Sequence, residues 1–328
     1  MFTIHLLGRS QKTRLSFTSS NSSFAKCLRK HNPLHSSSHS NVCPATRSDS
    51  SCEGQSFGSG GHQSPTYSTT FSKCTFSECS STNGGAIYVN GGSVSFLKIY
   101  SCTFTLCSAT KDAGGAIYAR SLTTLDVQDS SFVLCTCEGK NDNERGGGGI
   151  LIRSVTSPSV SSSSFVDNFC KRDGAGISIV YSGSTTQQIF LSSKFIKCIS
   201  EGTSADGGAV HIYENNCNLG FSNCLFSLCE ASSHGGALLH QIKLTEESST
   251  ICFCFFDKNK CSSASDVYLH KLYSSKTFLH SFSTSTGIPR IYPSGLDHWL
   301  PQDSIYLVNS TSEKGSYSVQ KKQIQIIG

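Results

Sequence analysis

Cysteine is the residue type whose number and spacing could support the most chemistry in this sequence. The 328 residues include 17 cysteines, and eight of them follow a phenylalanine by three positions. Five of the eight form one recurring series: Cys79, Cys107, Cys135, Cys198 and Cys229. Thiols in such a series could pair as disulfides, bind a metal or pack as small hydrophobic groups. The CTC at 135–137 and the CFC at 252–254 are too tight for a zinc finger. The spacing therefore favours buried thiols, with some disulfides between repeats as the alternative.

Charged residues concentrate in segments that are predicted to be turns. The longest, TCEGKNDNERG at 136–146, contains Glu138, Asp142, Glu144 and Arg145. Because loops often carry the binding function of a protein, we expect this turn to be the first candidate for a ligand site. Asp173 and Asp206 occupy equivalent positions in adjacent repeats, where they could hold Ca²⁺ or form a solvated charged ridge. We favour the ridge and predict no bound metal and no cofactor.

Two tyrosines, Tyr88 and Tyr118, fall on the predicted outer face of neighbouring repeats. Exposed rings at this spacing could stack on a glycan.

Carbohydrate-active enzymes would instead need two acidic side chains that converge on one strand face. The acids of this sequence lie in turns, and no Ser/His/Asp arrangement can be placed. These patterns indicate a protein that is not an enzyme.

An internal repeat predicts the secondary-structure elements that position these residues. A Phe-x-x-Cys or Phe-x-x-Asn motif recurs at intervals of 28 to 33 residues; its phenylalanines are Phe76, Phe104, Phe132, Phe165, Phe195, Phe226 and Phe256. A glycine-rich motif follows each copy, as GGAIYV at 84–89 and GGAIYA at 114–119, and a decayed last copy reads ASDVYL at 264–269. Two motifs in strict alternation indicate one structural unit repeated along the chain.

Each unit is predicted to be made of strands rather than helices. Positions after the glycines alternate between aliphatic and mixed residues with a period of two, as in Ile87, Tyr88 and Val89. Stacking such units places equivalent residues in columns, with the phenylalanines inside as core. The pattern predicts an all-β, right-handed parallel β-helix, or solenoid, of about seven rungs.

The alternation of GGAI-type and Phe-x-x-Asn-type motifs over residues 71–270 resembles the polymorphic outer membrane protein repeat of bacterial autotransporter adhesins and protist surface proteins. The departure is cysteine in place of asparagine in five of the seven copies, with asparagine kept at Asn168 and Asn259. The resemblance leans towards the protist branch. It implies a right-handed β-helix of the pectin-lyase-like kind with a role in surface display and adhesion.

Charge and composition divide the chain into three predicted segments. The net charge of +5 arises within residues 1–65, which are Ser-rich and basic, and the remainder is neutral, so no nucleic-acid partner is expected. Residues 1–65 are predicted to be disordered or an eroded rung, 66–270 the β-helix and 271–328 a C-terminal β cap. No segment reaches 18 consecutive apolar residues, so no transmembrane segment is expected. The N-terminal sequence does not match a secretory signal, which favours a start that is incomplete or misassigned.

Together these features predict a non-enzymatic β-helix scaffold that is surface-exposed or secreted and serves adhesion or ligand display. The expected partner is a host-cell or extracellular glycan or protein. Two alternatives remain open: a degenerate carbohydrate-active β-helix, similar to polysaccharide lyases or hydrolases, and a purely structural spacer.

Overall fold

The secondary structure of this protein consists of short strands joined by bends and turns. The computed structural model describes residues 50–92, 94–139, 146–180, 188–215, 219–242, 248–262, 267–270, 276–284, 291–294 and 305–308. Within these ranges the chain forms no helix, and hence none that is long and apolar enough to cross a membrane.

The largest sheet receives two strands from most repeats, one before and one after a sharp bend. The first strand of each pair carries the hydrophobic run that precedes the motif, and the second carries its phenylalanine. In the described part of the chain this sheet has 17 strands: Ser50–Glu53, Ser56–Phe57, Thr69–Ser72, Thr75–Ser77, Phe96–Tyr100, Thr103–Thr105, Thr124–Gln128, Ser131–Val133, Ser157–Ser161, Ser164–Val166, Gln188–Leu191, Lys194–Ile196, Leu219–Ser222, Leu225–Ser227, Ser248–Asp257, Lys276–Thr284 and Ile305–Val308.

Two smaller sheets complete the wall of the solenoid. Six two-residue strands follow the cysteine or asparagine of the motif: Ser80–Ser81, Ser108–Ala109, Thr136–Cys137, Phe169–Cys170, Ile199–Ser200 and Glu230–Ala231. Eight strands follow the glycine pairs or their decayed equivalents: Ile87–Asn90, Ile117–Arg120, Ile150–Arg153, Ile177–Val180, Val210–Asn215, Leu238–Ile242, Val267–His270 and Ile291–Ser294. We call these the six-stranded sheet and the eight-stranded sheet.

All pairings between named strands are parallel, and each joins a repeat to the equivalent strand of its neighbour. Phe132, for example, lies opposite Phe104 on one side and Phe165 on the other. The predicted all-β parallel β-helix is thereby confirmed. It has about five turns, slightly fewer than the seven predicted. Part of the decayed last motif, at 264–266, lies outside the described residues.

The bends on either side of the Phe strand use residues in the left-handed backbone region. In the seven motif repeats the φ values of these residues lie between 48° and 57°, although none of the residues is glycine. This conformation costs roughly 1–2 kcal/mol per residue. The cost is offset because the ladder continues through the bend: the Leu106 N–H donates to the Val133 carbonyl at 3.0 Å, and the Leu134 N–H donates to Val166 at 3.1 Å. Stacking therefore imposes the same bend on successive repeats.

The seven motif phenylalanines form one continuous stack in the core. Their rings, together with Phe57, lie with successive centroids 4.6 to 5.0 Å apart and nearly parallel. Each is at most 4 % exposed. The spacing equals the distance between neighbouring strands, so the backbone ladder and the ring stack reinforce each other.

The described strands extend beyond the segment predicted to form the β-helix. Ser50–Glu53 and Ser56–Phe57 lie before residue 66, yet they pair in parallel with the next repeat. Lys276–Thr284 and Ile291–Ser294 lie after residue 270 and continue the large and eight-stranded sheets. The parallel pairing thus reaches into both flanking segments.

Candidate functional site

The cysteine column lies inside the solenoid, directly after the second bend. Its five members are thiols and are completely buried: Cys79, Cys107, Cys135, Cys198 and Cys229. The Cys107 thiol donates to the Phe76 carbonyl of the preceding repeat at 3.7 Å, and Cys198 does the same to Phe165 at 3.5 Å. The column therefore contributes packing and weak hydrogen bonds to the wall.

Asparagine performs the same task in this column with stronger bonds. The Asn168 amide donates to the Phe132 carbonyl at 3.1 Å, while its side-chain oxygen accepts from the Cys135 N–H at 2.8 Å. Asn259 repeats both contacts with Phe226 and Cys229. Cysteine and asparagine can alternate because each offers the neighbouring repeat a donor for the same carbonyl.

Burial and neighbouring thiols keep three cysteines of this column protonated. The hydrogen bond with Cys107, followed by burial, raises the pKa of Cys79. The hydrogen bond with Cys135 raises the pKa of Cys107, and burial raises that of Cys198. Since the thiolate is the reactive form, the column is chemically quiet in the folded state.

Alkylation should therefore distinguish the column from a cysteine at the surface. We expect Cys79, Cys107, Cys135 and Cys198 to resist iodoacetamide in the native protein and to react after denaturation, whereas partly exposed Cys261 reacts in both states. Peptide mass spectrometry after each treatment, without reductant during purification, measures this. Native labelling of Cys107 as fast as that of Cys261 would contradict the buried column. Protection that persists after denaturation would identify disulfides between repeats, whose strand spacing of about 4.8 Å lies in the range that disulfides span.

The turn at 136–146, predicted as the first candidate for ligand binding, is only partly described. Glu138 is half-buried and forms an ion pair with Lys171 of the next repeat at 2.9 Å. Asp142, Glu144 and Arg145 lie outside the described residues. The binding role of this turn stays a prediction.

The expected exposure of the two tyrosines is wrong for Tyr118. Its side chain is 1 % exposed and packs with Ala113, Leu151 and Val180 on the outer face of the eight-stranded sheet. Tyr88 is half-buried, with its ring centroid 4.9 Å from that of Tyr118. The turns before the glycine pairs cover this face, since a β-carbon added at Gly84 would lie only 2.9 Å from that of Tyr118. Tyr118 therefore cannot offer its ring to a glycan.

A polar cluster on the outer face of the large sheet was not identified from the sequence. Phe96, Lys98 and Tyr100 alternate outward on one strand, opposite Asp126 and Gln128 on the next. The Tyr100 hydroxyl donates to Asp126 at 2.7 Å, and the Gln128 amide donates to the same carboxylate at 3.0 Å. Burial, followed by the Asp126 contact, raises the pKa of Tyr100 to about 12. The alternation was visible in the sequence, but the cross-strand register was not.

A second cluster joins two carboxylates and two imidazoles beside the eight-stranded sheet. The Asp173 Oδ1 atom accepts from the Asp206 N–H at 2.9 Å, and Asp206 Oδ1 accepts from the His234 N–H at 3.1 Å. His211 Nδ1 lies 4.0 Å from Asp173 Oδ2, and His234 Nδ1 lies 3.0 Å from Asp206 Oδ1. Asp173 and His211 are buried, so the expected solvated ridge is wrong at Asp173. A buried group of carboxylate and imidazole ligands can hold a metal ion.

His240 lies near this cluster but faces the interior of the solenoid. Burial, and secondarily the proximity of His211, lowers its pKa to about 3. An imidazole with an ordinary pKa near 6.5 in the unfolded chain is therefore neutral when folded. Between these two values the unfolded state binds more protons, so stability falls as the pH falls below about 6.5.

Acidification should weaken the fold through His240. Between pH 7 and pH 5 we expect the free energy of unfolding to fall by about 2 kcal/mol. Replacing His240 with leucine, the residue that pairs with it in the next repeat (Leu269), should remove most of this pH dependence. Urea unfolding at several pH values measures it, with Ile212→Leu in the same column as the control that keeps the dependence. An unchanged slope in His240→Leu would assign the effect to other groups.

Comparison with known proteins agrees with this architecture. A family model for the right-handed β-helix region matches residues 59–265, more than half of the chain. No curated protein and no solved structure matches the chain. The match supports the predicted handedness and spans all six strands of the six-stranded sheet. The chain therefore belongs to the right-handed β-helix family.

Proposed function

We propose that this protein is a non-enzymatic β-helix scaffold that presents its outer face and turns for binding. The observation that carries the proposal is a contrast between the inward-facing and the outward-facing positions of the strands. Inward columns and bends repeat from turn to turn, as the Phe stack shows, whereas outward positions change: Lys98, Asp126 and Ser159 occupy one outward column. A uniform framework with a varied surface suits ligand display.

The right-handed β-helix family includes both enzymes and non-enzymes, so the placement of the acidic side chains bears on the choice. Glycosidases place two carboxylates roughly 5–9.5 Å apart on either side of the bond they cleave. Asp173 and Asp206 do converge, but Asp173 is only 2 % exposed and cannot reach a polymer. Asp126 is occupied by Tyr100 and Gln128. These contacts favour binding over catalysis.

The proposed setting is the cell surface or the extracellular space, and the proposed role is adhesion. The resemblance to the polymorphic outer membrane protein repeat supports this setting. The cluster of Phe96, Lys98, Tyr100, Asp126 and Gln128 supports a glycan as ligand, because aromatic rings beside a few fixed polar groups are typical of ligand sites. We name it the outer-face cluster.

Binding of the purified chain to a glycan array and to intact cells tests the proposal. We expect a saturable signal that falls at least about tenfold, or 1.4 kcal/mol, in Tyr100→Ala and Gln128→Ala. Thr70→Ala, an outward change on the adjacent strand opposite Lys98, serves as the matched control and should bind normally.

Incubation with polysaccharides separates the alternatives. Cleavage products that disappear in Asp126→Asn would establish a carbohydrate-active enzyme and overturn the proposal. If the chain neither binds nor cleaves any glycan, the structural spacer is favoured.

A further inference from the structure

We propose that Asp173, Asp206 and His211 bind one divalent transition-metal ion, with Zn²⁺ the best fit, at the outer side of the eight-stranded sheet. One ligand atom from each residue lies within 4.8 Å of the others. This metal site is independent of the outer-face cluster and of the proposed function. It would pin the turns of two successive repeats to the strand beneath them.

The path of the chain brings these residues together from distant positions. Asp173 and Asp206 each precede the first glycine of a glycine motif, and His211 lies on the strand Val210–Asn215. The turn of one repeat lies over the strand of the next: a methyl group added at Gly174 would lie 3.0 Å from the backbone nitrogen of His211. This overlap sets Asp173 beside His211.

The distance between the two buried ligands suits a metal better than a direct bond. Asp173 Oδ2 and His211 Nδ1 are 4.0 Å apart, which exceeds a hydrogen bond of about 2.7–3.2 Å. Zinc lies about 2.0–2.2 Å from each oxygen or nitrogen ligand, so two ligands of one tetrahedral ion are roughly 3.3–3.6 Å apart. The observed distance is about half an ångström longer, so binding would draw the two side chains slightly together.

Hydrogen bonds already orient both carboxylates. The Oδ1 atom of Asp173 is held by the Asp206 N–H at 2.9 Å. The Oδ1 atom of Asp206 is held by the His234 N–H at 3.1 Å and lies 3.0 Å from His234 Nδ1. Groups that support metal ligands in this way are a regular part of metal sites. His234 is therefore assigned a positioning role.

The combination of residues is specific to this part of the solenoid. In the preceding repeats the position of Asp173 is taken by Ala113 and Gly146, and the column of His211 contains Tyr118 and Leu151. Repeats can therefore stack without carboxylate or imidazole side chains at these positions. Two carboxylates beside a buried imidazole add charge that a divalent cation would neutralise.

The ligand types select among cations. Ca²⁺ prefers six to eight oxygen ligands, whereas imidazole with two carboxylates suits Zn²⁺ and Co²⁺. Because the protein has many thiols, the test must separate a nitrogen and oxygen site from a thiolate site. Co²⁺ does so, since thiolate ligands add an intense near-ultraviolet charge-transfer band.

The full chain, stripped with EDTA and kept reduced, is titrated with Co²⁺ and then with Zn²⁺. We expect one Co²⁺ per chain, weak visible bands without the thiolate band, displacement by Zn²⁺, and a higher unfolding temperature with Zn²⁺. Asp173→Asn, Asp206→Asn and His211→Leu should each weaken binding at least about 100-fold, since changing even a supporting group costs roughly 10–100-fold.

These substitutions are chosen to preserve the fold. Asn83 occupies the position of the two aspartates in an earlier repeat and accepts the same kind of bond from Ala113 N–H at 3.3 Å. Leu239 follows His211 in its column. Asp167→Asn, at a bend of the same repeat as Asp173, is the control that should bind normally. A thiolate band, a preference for Ca²⁺, or no binding by the wild-type chain would each overturn the proposal whatever the variants do.

Discussion

Replacing Phe165 with alanine is expected to lower the free energy of unfolding by about 3–5 kcal/mol. Its ring is fully buried and lies between those of Phe132 and Phe195, with centroid distances of 4.7 and 4.9 Å. Truncation removes both stacking contacts and leaves a cavity. The rigid backbone ladder on either side prevents the neighbouring rings from closing that cavity, so the cost should lie near the upper end.

Equilibrium unfolding in urea, followed by circular dichroism, measures this loss. Phe169→Ala is the matched control, because Phe169 lies four residues further along the same repeat and its side chain is only half-buried. We expect the control to cost about 1 kcal/mol or less. Equal losses for the two variants would refute the view that the Phe stack dominates the core.

A second large effect is expected at the glycine pairs. Replacing Gly115 with alanine would place a methyl group on the carbonyl oxygen of Gly148 in the next repeat. No side-chain rotation can relieve an overlap between a β-carbon and backbone. The parallel ladder would have to separate locally, and we expect a loss of at least about 3 kcal/mol, at the upper end of the cost of overpacking.

The glycine prediction has a control within the same chain. An added methyl at Gly58 meets nothing within 4 Å, and the backbone there has an ordinary φ, so Gly58→Ala should be nearly neutral. Thermal and urea unfolding of both variants provide the comparison. A neutral Gly115→Ala would mean that neighbouring repeats are less closely stacked than described.

The fold was predictable because each repeat stacks only on its neighbours, so the period of the sequence maps directly onto positions along the solenoid axis. Phe132, Phe165 and Phe195 recur at intervals of 33 and 30 residues, and these intervals become one fixed spacing along the axis once equivalent strands pair. Alternation with a period of two then states which residues face inward. The number of turns was less predictable, since the motif decays in the last repeat, where the glycine pair is lost and the sequence reads ASDVYL at 264–269.

The outer surface was less predictable for a physical reason. Alternation separates one side of a strand from the other, but it does not reveal whether a turn folds back over the outer side. The left-handed backbone at Gly84 and its equivalents directs the turns over the eight-stranded sheet, which buries Tyr118. The prediction that the ring of Tyr118 is exposed was wrong because it did not include these turns.

By itself the sequence determined the repeat, the all-β parallel β-helix fold and the columns of residues that face inward. Each of these depends on local spacing, and neighbouring repeats must share it in order to stack. Only the tertiary structure decided which outward side chains meet: Tyr100 with Asp126 across two strands, and Asp173 with His211 across a turn. Those contacts depend on the path of the turns and on the register between repeats, because a residue's partner on the outer face comes from another repeat.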